Sequence, residues 1–198
     1  MQNPRLVLIV IAVLFFGPLL LALLMRSEWW DFRPSSLSNR GSLVQPPVDF
    51  PLHAVTALPD TTAGATTGAW VVLYSLPAEC HEACQKTVTA LRQLHLATGR
   101  HRDRVEIWLL ASRQPPAQTL AVLGGIYPEF RLLLDASGEA GRVLAGLGGP
   151  AQDPQTPLAG LAFLLDPQAN IILRYAADFH PHDISQDLDR LLTWAATE

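Results

Sequence analysis

Residues 70–94 read WVVLYSLPAECHEACQKTVTALRQL, and this stretch carries the clearest pattern of strand and helix in the chain. Its first part is a continuous run of apolar, β-branched and aromatic residues, which is typical of a strand buried on both faces. Pro77 ends that run. From Val88 onward apolar residues recur at helical spacing, so the pattern predicts a strand over residues 69–76 that leads into an amphipathic helix over residues 79–98.

The segments that follow continue to alternate between strand and helix patterns. We predict a strand at 105–110, a short helix at 116–123, a strand at 131–134, a helix at 137–147, a hairpin of strands 161–165 and 171–175, and a last helix at 183–194. A βαβ half followed by a ββα half is the thioredoxin arrangement. The fold class predicted for residues 69–198 is therefore α/β and thioredoxin-like.

An apolar segment near the N-terminus predicts a membrane anchor. Leu6 to Met25 contains no charged residue, and about twenty helical residues span the hydrocarbon core of a bilayer. Trp29 and Trp30 follow where an aromatic belt lies. The alternative is a cleaved signal peptide, whose apolar core is shorter, at about 7–15 residues, and ends in a small-x-small site. The length favours an uncleaved transmembrane helix, with the anchor over residues 1–28.

Residues 29–68 are rich in Pro, Ser, Thr and Gly, which predicts an extended juxtamembrane arm or linker. Counting Lys and Arg alone favours a cytoplasmic domain. However, a five-residue N-terminal flank is typical of a signal-anchor with its tail in the cytoplasm. We therefore predict a single-pass protein of the inner (cytoplasmic) membrane with its soluble domain in the periplasm. The net charge of −4 argues against nucleic acid as a partner.

Cys80 and Cys84 are the only cysteines, and they lie where the strand passes into the helix. Residues four apart on a helix share a face, so this pair can form a disulfide or bind one soft metal ion. A helix N-terminus favours the thiolate, which is both a nucleophile and a copper ligand. The alternative is a plain stabilising bridge, but closing so short a loop contributes no more than about 2–3 kcal/mol. We therefore predict catalytic roles for both residues.

The stretch 70–94 resembles the core of the SCO/SenC proteins: strand, turn, Cys-x-x-x-Cys and amphipathic helix. Residues 161–176, LAFLLDPQANIILRYA, resemble that family's hairpin. Residues 29–47 resemble the juxtamembrane segment of small anchored proteins that accompany bacterial cytochrome oxidase assembly factors. The resemblance implies a role in cytochrome c oxidase biogenesis, either delivering copper or reducing the cysteines of the oxidase copper site. It also implies that Cys80 and Cys84 bind copper, and that the partner is an oxidase subunit or an assembly factor.

Three features depart from the family pattern that this resemblance implies. The family's Val-Asp-Pro-x-x-Asp-Thr-Pro segment after the second strand is missing, and residues 110–115 here read LASRQP. Leu158 stands about where the family has its distal copper-binding His, and Gln85 replaces the Pro after the second cysteine. His81, inside the motif, is the substitute metal ligand that we predict beside Cys80 and Cys84. His180 and His182 are further candidates, while His95 and His101 are expected at the surface.

Two other functions remain open. The chain could be a general thiol-disulfide oxidoreductase, although its Cys-x-x-x-Cys spacing differs from the Cys-x-x-Cys of those enzymes. It could also be a non-catalytic scaffold that docks onto an oxidase subunit or assembly partner.

Overall fold

The computed structural model of the chain describes residues 39–58, 68–147 and 158–194, together with residues 5, 7 and 12–18. The chain divides into two units, Met1–Ser38 and Asn39–Glu198. The described residues of the first unit are helical. No helix in the described part of the chain combines the length and apolar character needed to cross a membrane. The anchor predicted over residues 1–28 lies mostly outside the described residues and stays a prediction.

One seven-stranded sheet forms the centre of the second unit, in the strand order β1-β7-β6-β3-β4-β5-β2. Strands β3, β4 and β5 run parallel, and the other pairings are antiparallel. The strands are β1 (Ser42–Asp49), β2 (Thr56–Ala57), β3 (Trp70–Ser75), β4 (Val105–Ala111), β5 (Arg131–Leu134), β6 (Ala162–Leu165) and β7 (Asn170–Tyr175). The helices are α1 (Glu82–Ala97), α2 (Ala117–Ile126), α3 (Glu139–Gly146) and α4 (Pro181–Trp194), with short 3-10 helices at Leu52–Ala54 and Gly99–Arg104.

Strand β3 is buried on both faces, and this explains its continuous apolar sequence. Val72 and Tyr74 contribute to a core cluster that includes residues of α1, α2 and α4. Val71 and Leu73 contribute to a second cluster on the other face, which includes residues of α3. Each element predicted between residues 69 and 194 appears within a few residues of its predicted position. The predicted thioredoxin-like α/β fold is therefore confirmed.

The compact unit begins at Asn39 rather than at the predicted boundary of residue 69. Residues predicted as part of an extended arm instead supply both edge strands, since β1 pairs with β7 and β2 pairs with β5. Phe50, only 4% exposed, packs against Trp108 with ring centroids 6.2 Å apart. Pro46 and Pro47, which suggested a linker, lie in β1, where an edge strand tolerates the missing N–H groups.

A buried carboxylate holds the start of this unit against the last helix. Asp187, 2% exposed, accepts hydrogen bonds from the backbone N–H groups of Arg40 and Gly41, each at 2.9 Å. The hydroxyl of Tyr175 donates to the same carboxylate at 2.9 Å. These bonds satisfy a charge whose burial would otherwise be costly.

His95 is buried, at 6% exposure, and not at the surface as its sequence context predicted. Its Nδ1 lies 2.9 Å from the hydroxyl of Tyr127, and its Nε2 lies 2.9 Å from the carbonyl oxygen of Val105. Because a carbonyl can only accept, Nε2 carries a proton. The last turn of α1 lies over the start of β4, and this contact buries the imidazole.

Candidate functional site

The two cysteines lie just beyond the carboxyl end of β3, the strand that pairs with β4 on one side and β6 on the other. Leu76 extends this pairing by one bond, donating to the carbonyl of Leu110 at 2.9 Å. The chain then turns, and α1 begins at Glu82. Cys80 therefore precedes the helix, and Cys84 lies in its first turn.

Cys80 and Cys84 form a disulfide with their Cα atoms 5.1 Å apart. The side-chain amide of Gln85 donates to the carbonyl of Cys80 at 3.1 Å, which fixes the turn before the helix. His81 is the N-cap residue, and its side chain makes no capping hydrogen bond. The first N–H groups of α1 thus point toward the cysteine turn without a capping side chain, an arrangement that favours a thiolate there.

The two cysteines differ in exposure. Cys80 is only partly buried, whereas Cys84 is 5% exposed and belongs to the apolar core. Tyr74 and Val88 lie in the same core cluster. Burial raises the pKa of Tyr74 above its ordinary value, with a hydrogen bond to Thr87 acting in the opposite direction, so its phenol is neutral at neutral pH. Because Cys80 is only partly buried whereas Cys84 lies within the apolar core, an incoming sulfur can reach Cys80 but not Cys84.

Two side-chain pairs lie next to the cysteine turn. Nε2 of His81 lies 2.9 Å from a carboxylate oxygen of Glu79, and both side chains are exposed. Lys86 pairs with Glu82 one helical turn away, at 2.6 Å. Such exposed pairs contribute little to stability. The pairing directs the imidazole of His81 to a carboxylate, and its predicted role as a metal ligand stays a prediction.

The donor set does not form the three-ligand copper centre that the resemblance implied. Among the described residues, no three His, Cys, Asp or Glu side chains lie close enough to hold a metal ion together. Leu158 lies in a turn before β6 and offers no donor atom. His180 accepts at Nδ1 from the N–H of His182 at 3.2 Å, and His182 lies 2.8 Å from the side-chain amide of Gln186. Within the part of the chain that the structure describes, the predicted copper donors that lie together are the two sulfurs.

Three recesses adjoin along the carboxyl edge of the sheet. The first and the third each enclose about 350 Å³, and a small crevice lies between them. Ser112 and Arg113 line both the first recess and the crevice. Cys80 and Thr119 line both the crevice and the third recess. We call these three recesses together the Cys80 groove.

Arg113 is a residue of this groove that the sequence analysis did not identify. It follows the end of β4, and its guanidinium donates to the carbonyl of Ala78 at 3.3 Å, which ties the β4–α2 loop to the cysteine turn. Parallel neighbouring strands end at the same edge of a sheet, so residues just after β4 belong near those just after β3. From the sequence, the position of Arg113 just after the predicted strand 105–110 could have identified it as a neighbour of the cysteine turn.

Residues 70–195 match the family described as transmembrane-like, thioredoxin-like, C-terminal domain. Comparison with curated proteins found no match.

Among solved structures, the chain is similar to the apo Sco1 protein from Thermus thermophilus, with 19% identity, a TM-score of 0.53, and coverage of 76% of this chain and 95% of that one. It is also similar to Arabidopsis thaliana ScoI, solved with copper bound, with 12% identity, a TM-score of 0.51, and coverage of 78% and 98%. The predicted likeness to SCO/SenC proteins is thus confirmed, and at these identities the likeness shows a shared fold.

Proposed function

Because the chain belongs to the transmembrane-like, thioredoxin-like C-terminal domain family, we propose that it carries out thiol-disulfide exchange through Cys80 and Cys84 in the biogenesis of cytochrome c oxidase. The observation that carries this proposal is the difference in exposure within one disulfide: Cys80 is accessible at the sheet edge, and Cys84 is buried beneath it. Exchange needs one attacking sulfur and one that resolves the intermediate.

The reaction follows from this difference. In the reduced protein the thiolate of Cys80 attacks one sulfur of a substrate disulfide, forming a mixed disulfide and releasing the first substrate thiolate. The thiolate of Cys84 then attacks the sulfur of Cys80 and releases the second. Two electrons pass to the substrate, and the Cys80–Cys84 disulfide forms. A dithiol donor protein must reduce it again for turnover.

A structural bridge is the main competing explanation of the pair. The bridge closes a loop with a sequence separation of only four residues, and in the chain-entropy treatment such a loop contributes about 2 kcal/mol. A staple that joined distant segments would contribute more. The position of the bridge at an accessible strand-to-helix turn therefore supports redox chemistry.

Copper transfer is the second candidate function. When the disulfide is reduced, the thiolates of Cys80 and Cys84 are two adjacent soft donors that suit Cu(I). A third donor is missing among the described residues, which disfavours a resident copper centre. Copper is therefore proposed only as cargo of the oxidase pathway, held by Cys80 and Cys84, with His81 as the nearest additional donor in sequence.

The remaining parts of the proposal concern place and partner. We propose that the predicted anchor keeps the domain at the periplasmic face of the inner membrane, where the copper-site cysteines of an oxidase subunit or an assembly factor would be its substrate. Reduction of those cysteines would allow copper to load. This assignment rests on the sequence resemblance and on the anchor prediction.

Trapping of the intermediate tests the chemistry. The full chain, purified in a non-ionic detergent and reduced, is mixed with a small neutral aromatic disulfide. We expect wild type to release two thiols, Cys84→Ser to stop at a stable mixed disulfide, and Cys80→Ser to react far more slowly. Equal reaction of Cys80→Ser and Cys84→Ser, or no reaction of wild type, would contradict the proposal.

The pathway and the copper alternative need separate measurements. Oxidase copper content in the native host should fall when both cysteines are replaced by Ser, whereas a scaffold role predicts normal content. Cu(I) titration of the reduced full chain, with the Cys80→Ser variant as control, tests cargo binding. Stoichiometric binding lost in the variant would favour copper transfer over disulfide reduction.

A further inference from the structure

We propose that Gln85 is a positioning residue for the second step of the exchange, in which its side-chain amide holds Cys80 within reach of Cys84. This inference rests on the proposed thiol-disulfide exchange and adds the residue that controls its resolving step. In that step the thiolate of Cys84 attacks the sulfur of Cys80. The Cys80–Cys84 bond forms, the bond between Cys80 and the substrate sulfur breaks, and the substrate leaves as a thiolate.

The turn that carries Cys80 has few hydrogen bonds of its own. In the described part of the chain, no backbone–backbone hydrogen bond involves residues 77–80. Arg113 donates to the carbonyl of Ala78 at 3.3 Å. The side-chain amide of Gln85 donates to the carbonyl of Cys80 at 3.1 Å. When the disulfide is open, the bond from Gln85 is therefore the hydrogen bond, among those of the described residues, that holds the peptide unit of Cys80 in place.

Gln85 is fixed on α1 by hydrogen bonds of its own. Its backbone N–H donates to the carbonyl of His81 at 3.0 Å, and its carbonyl accepts from the hydroxyl of Thr89 at 2.8 Å. The nitrogen of its side-chain amide is the atom that faces Cys80, because a carbonyl oxygen can only accept. The side chain is half-buried, so this bond is stronger than it would be at an open surface. Gln85 thus joins the helix to two successive carbonyls of the cysteine turn.

The position of Cys80 matters for the resolving step because Cys84 cannot move to meet it. Cys84 lies in the first turn of α1, is 5% exposed and packs in the apolar core. The two Cα atoms are 5.1 Å apart in the disulfide, so the approach that closes it must come from the turn. Holding two reacting groups in place raises the rate of their reaction. A typical net contribution of one hydrogen bond corresponds to a factor of about two to ten.

The first step differs because Cys80 is the one residue of the pair that takes part in it. Cys80 attacks a disulfide that diffuses to it, so no distance within the chain has to be kept. Loss of the Gln85 bond should therefore slow the second step and leave the first nearly unchanged. A purely structural contribution of Gln85 would lower stability without changing the ratio of the two rates.

Two rates of thiol release test this inference. The full chain, purified in a non-ionic detergent and reduced, is mixed with the small neutral aromatic disulfide, and stopped-flow absorbance follows release of the first and then the second thiol. Gln85→Met keeps the side-chain length and the helix propensity, removes the donor and adds no charge. We expect the second rate to fall about twofold to tenfold relative to the first. The reduction potential of the pair should rise by up to about 30 mV, which is the same tenfold change for a two-electron couple.

Gln93→Met is the matched control, because Gln93 is an exposed glutamine of the same helix and does not line the Cys80 groove. It should keep both rates and the potential of wild type. An unchanged ratio of the two rates in Gln85→Met, or the same change in Gln93→Met, would overturn the inference. Equal slowing of both steps would also overturn it, because the effect would then lie in the reactivity of Cys80 and not in its position. If wild type releases no thiol at all, the proposed function fails and this inference falls with it.

Discussion

Reduction of the Cys80–Cys84 disulfide should weaken the domain only slightly, and this prediction separates a redox pair from a structural bridge. The bonded cysteines are four positions apart, so the closed loop holds about five residues and its closure contributes about 2 kcal/mol of unfolding free energy. The turn also has supports that reduction leaves in place. Leu76 remains bonded to Leu110, and Gln85 to the carbonyl of Cys80.

The expected loss can be measured in two independent ways. For a unit of this size, about 2 kcal/mol corresponds to a fall in Tm of about 4–8 °C. Folding and oxidation are linked in one thermodynamic cycle. The reduction potential of the Cys80–Cys84 pair should therefore be lower in the folded protein than in the unfolded chain, by an amount that corresponds to the same free energy. That difference equals about 40 mV for a two-electron couple.

The assay compares thermal and urea unfolding of the full chain in a non-ionic detergent, with and without a phosphine reductant. The double variant Cys80→Ser, Cys84→Ser serves as a permanent reduced analogue. Equilibration with dithiothreitol buffers, with and without concentrated urea, gives the two reduction potentials. Unfolding on reduction, or a loss above about 4 kcal/mol, twice the value from loop closure, would refute the redox interpretation and identify a structural staple.

Three further predictions concern the contacts that hold residues 40 and 41 against α4. Gly41→Ala should lower the free energy of unfolding by about 1–3 kcal/mol, because a Cβ there would lie 2.8 Å from two ring carbons of Tyr175. Urea unfolding measures this loss. As a control, Gly124→Ala in the open part of α2 should raise the free energy of unfolding by up to about 1 kcal/mol. Asp187→Ala should lower the free energy of unfolding by about 2–5 kcal/mol, since it leaves buried donors without an acceptor. The exposed control Asp189→Ala should leave stability nearly unchanged. Faster hydrogen exchange at the Gly41 amide in the Asp187 variant alone would locate the effect. Burial, and then the carboxylate of Asp187, raise the pKa of Tyr175 above its ordinary value near 10. The contribution of Tyr175 to the free energy of unfolding is therefore complete below about pH 10. It is lost as the pH rises further, because the phenol ionises first in the unfolded chain. Urea midpoints between about pH 8 and 11 should fall less steeply in Tyr175→Phe, and an unchanged slope would contradict this account.

The candidate site was predictable in part. The pairing of Cys80 with Cys84 follows from their separation and from the strand-to-helix transition around them, both of which are local. The difference in their exposure was not predictable, because it depends on the core that Val88 and its neighbours build over Cys84. Arg113 approaches Cys80 only because β4 runs parallel to β3 and ends at the same edge.

Sequence alone determined the order of strands and helices from residue 69 onward, because the burial of a strand and the amphipathic face of a helix are written into short runs of neighbouring residues. Tertiary structure decided the rest. Leu43 pairs with Leu173, 130 positions away, and no local pattern distinguishes such an edge strand from a proline-rich linker. The buried states of His95 and Asp187 likewise depend on partners from distant segments, since a polar side chain is stably buried only where folding supplies its hydrogen bonds.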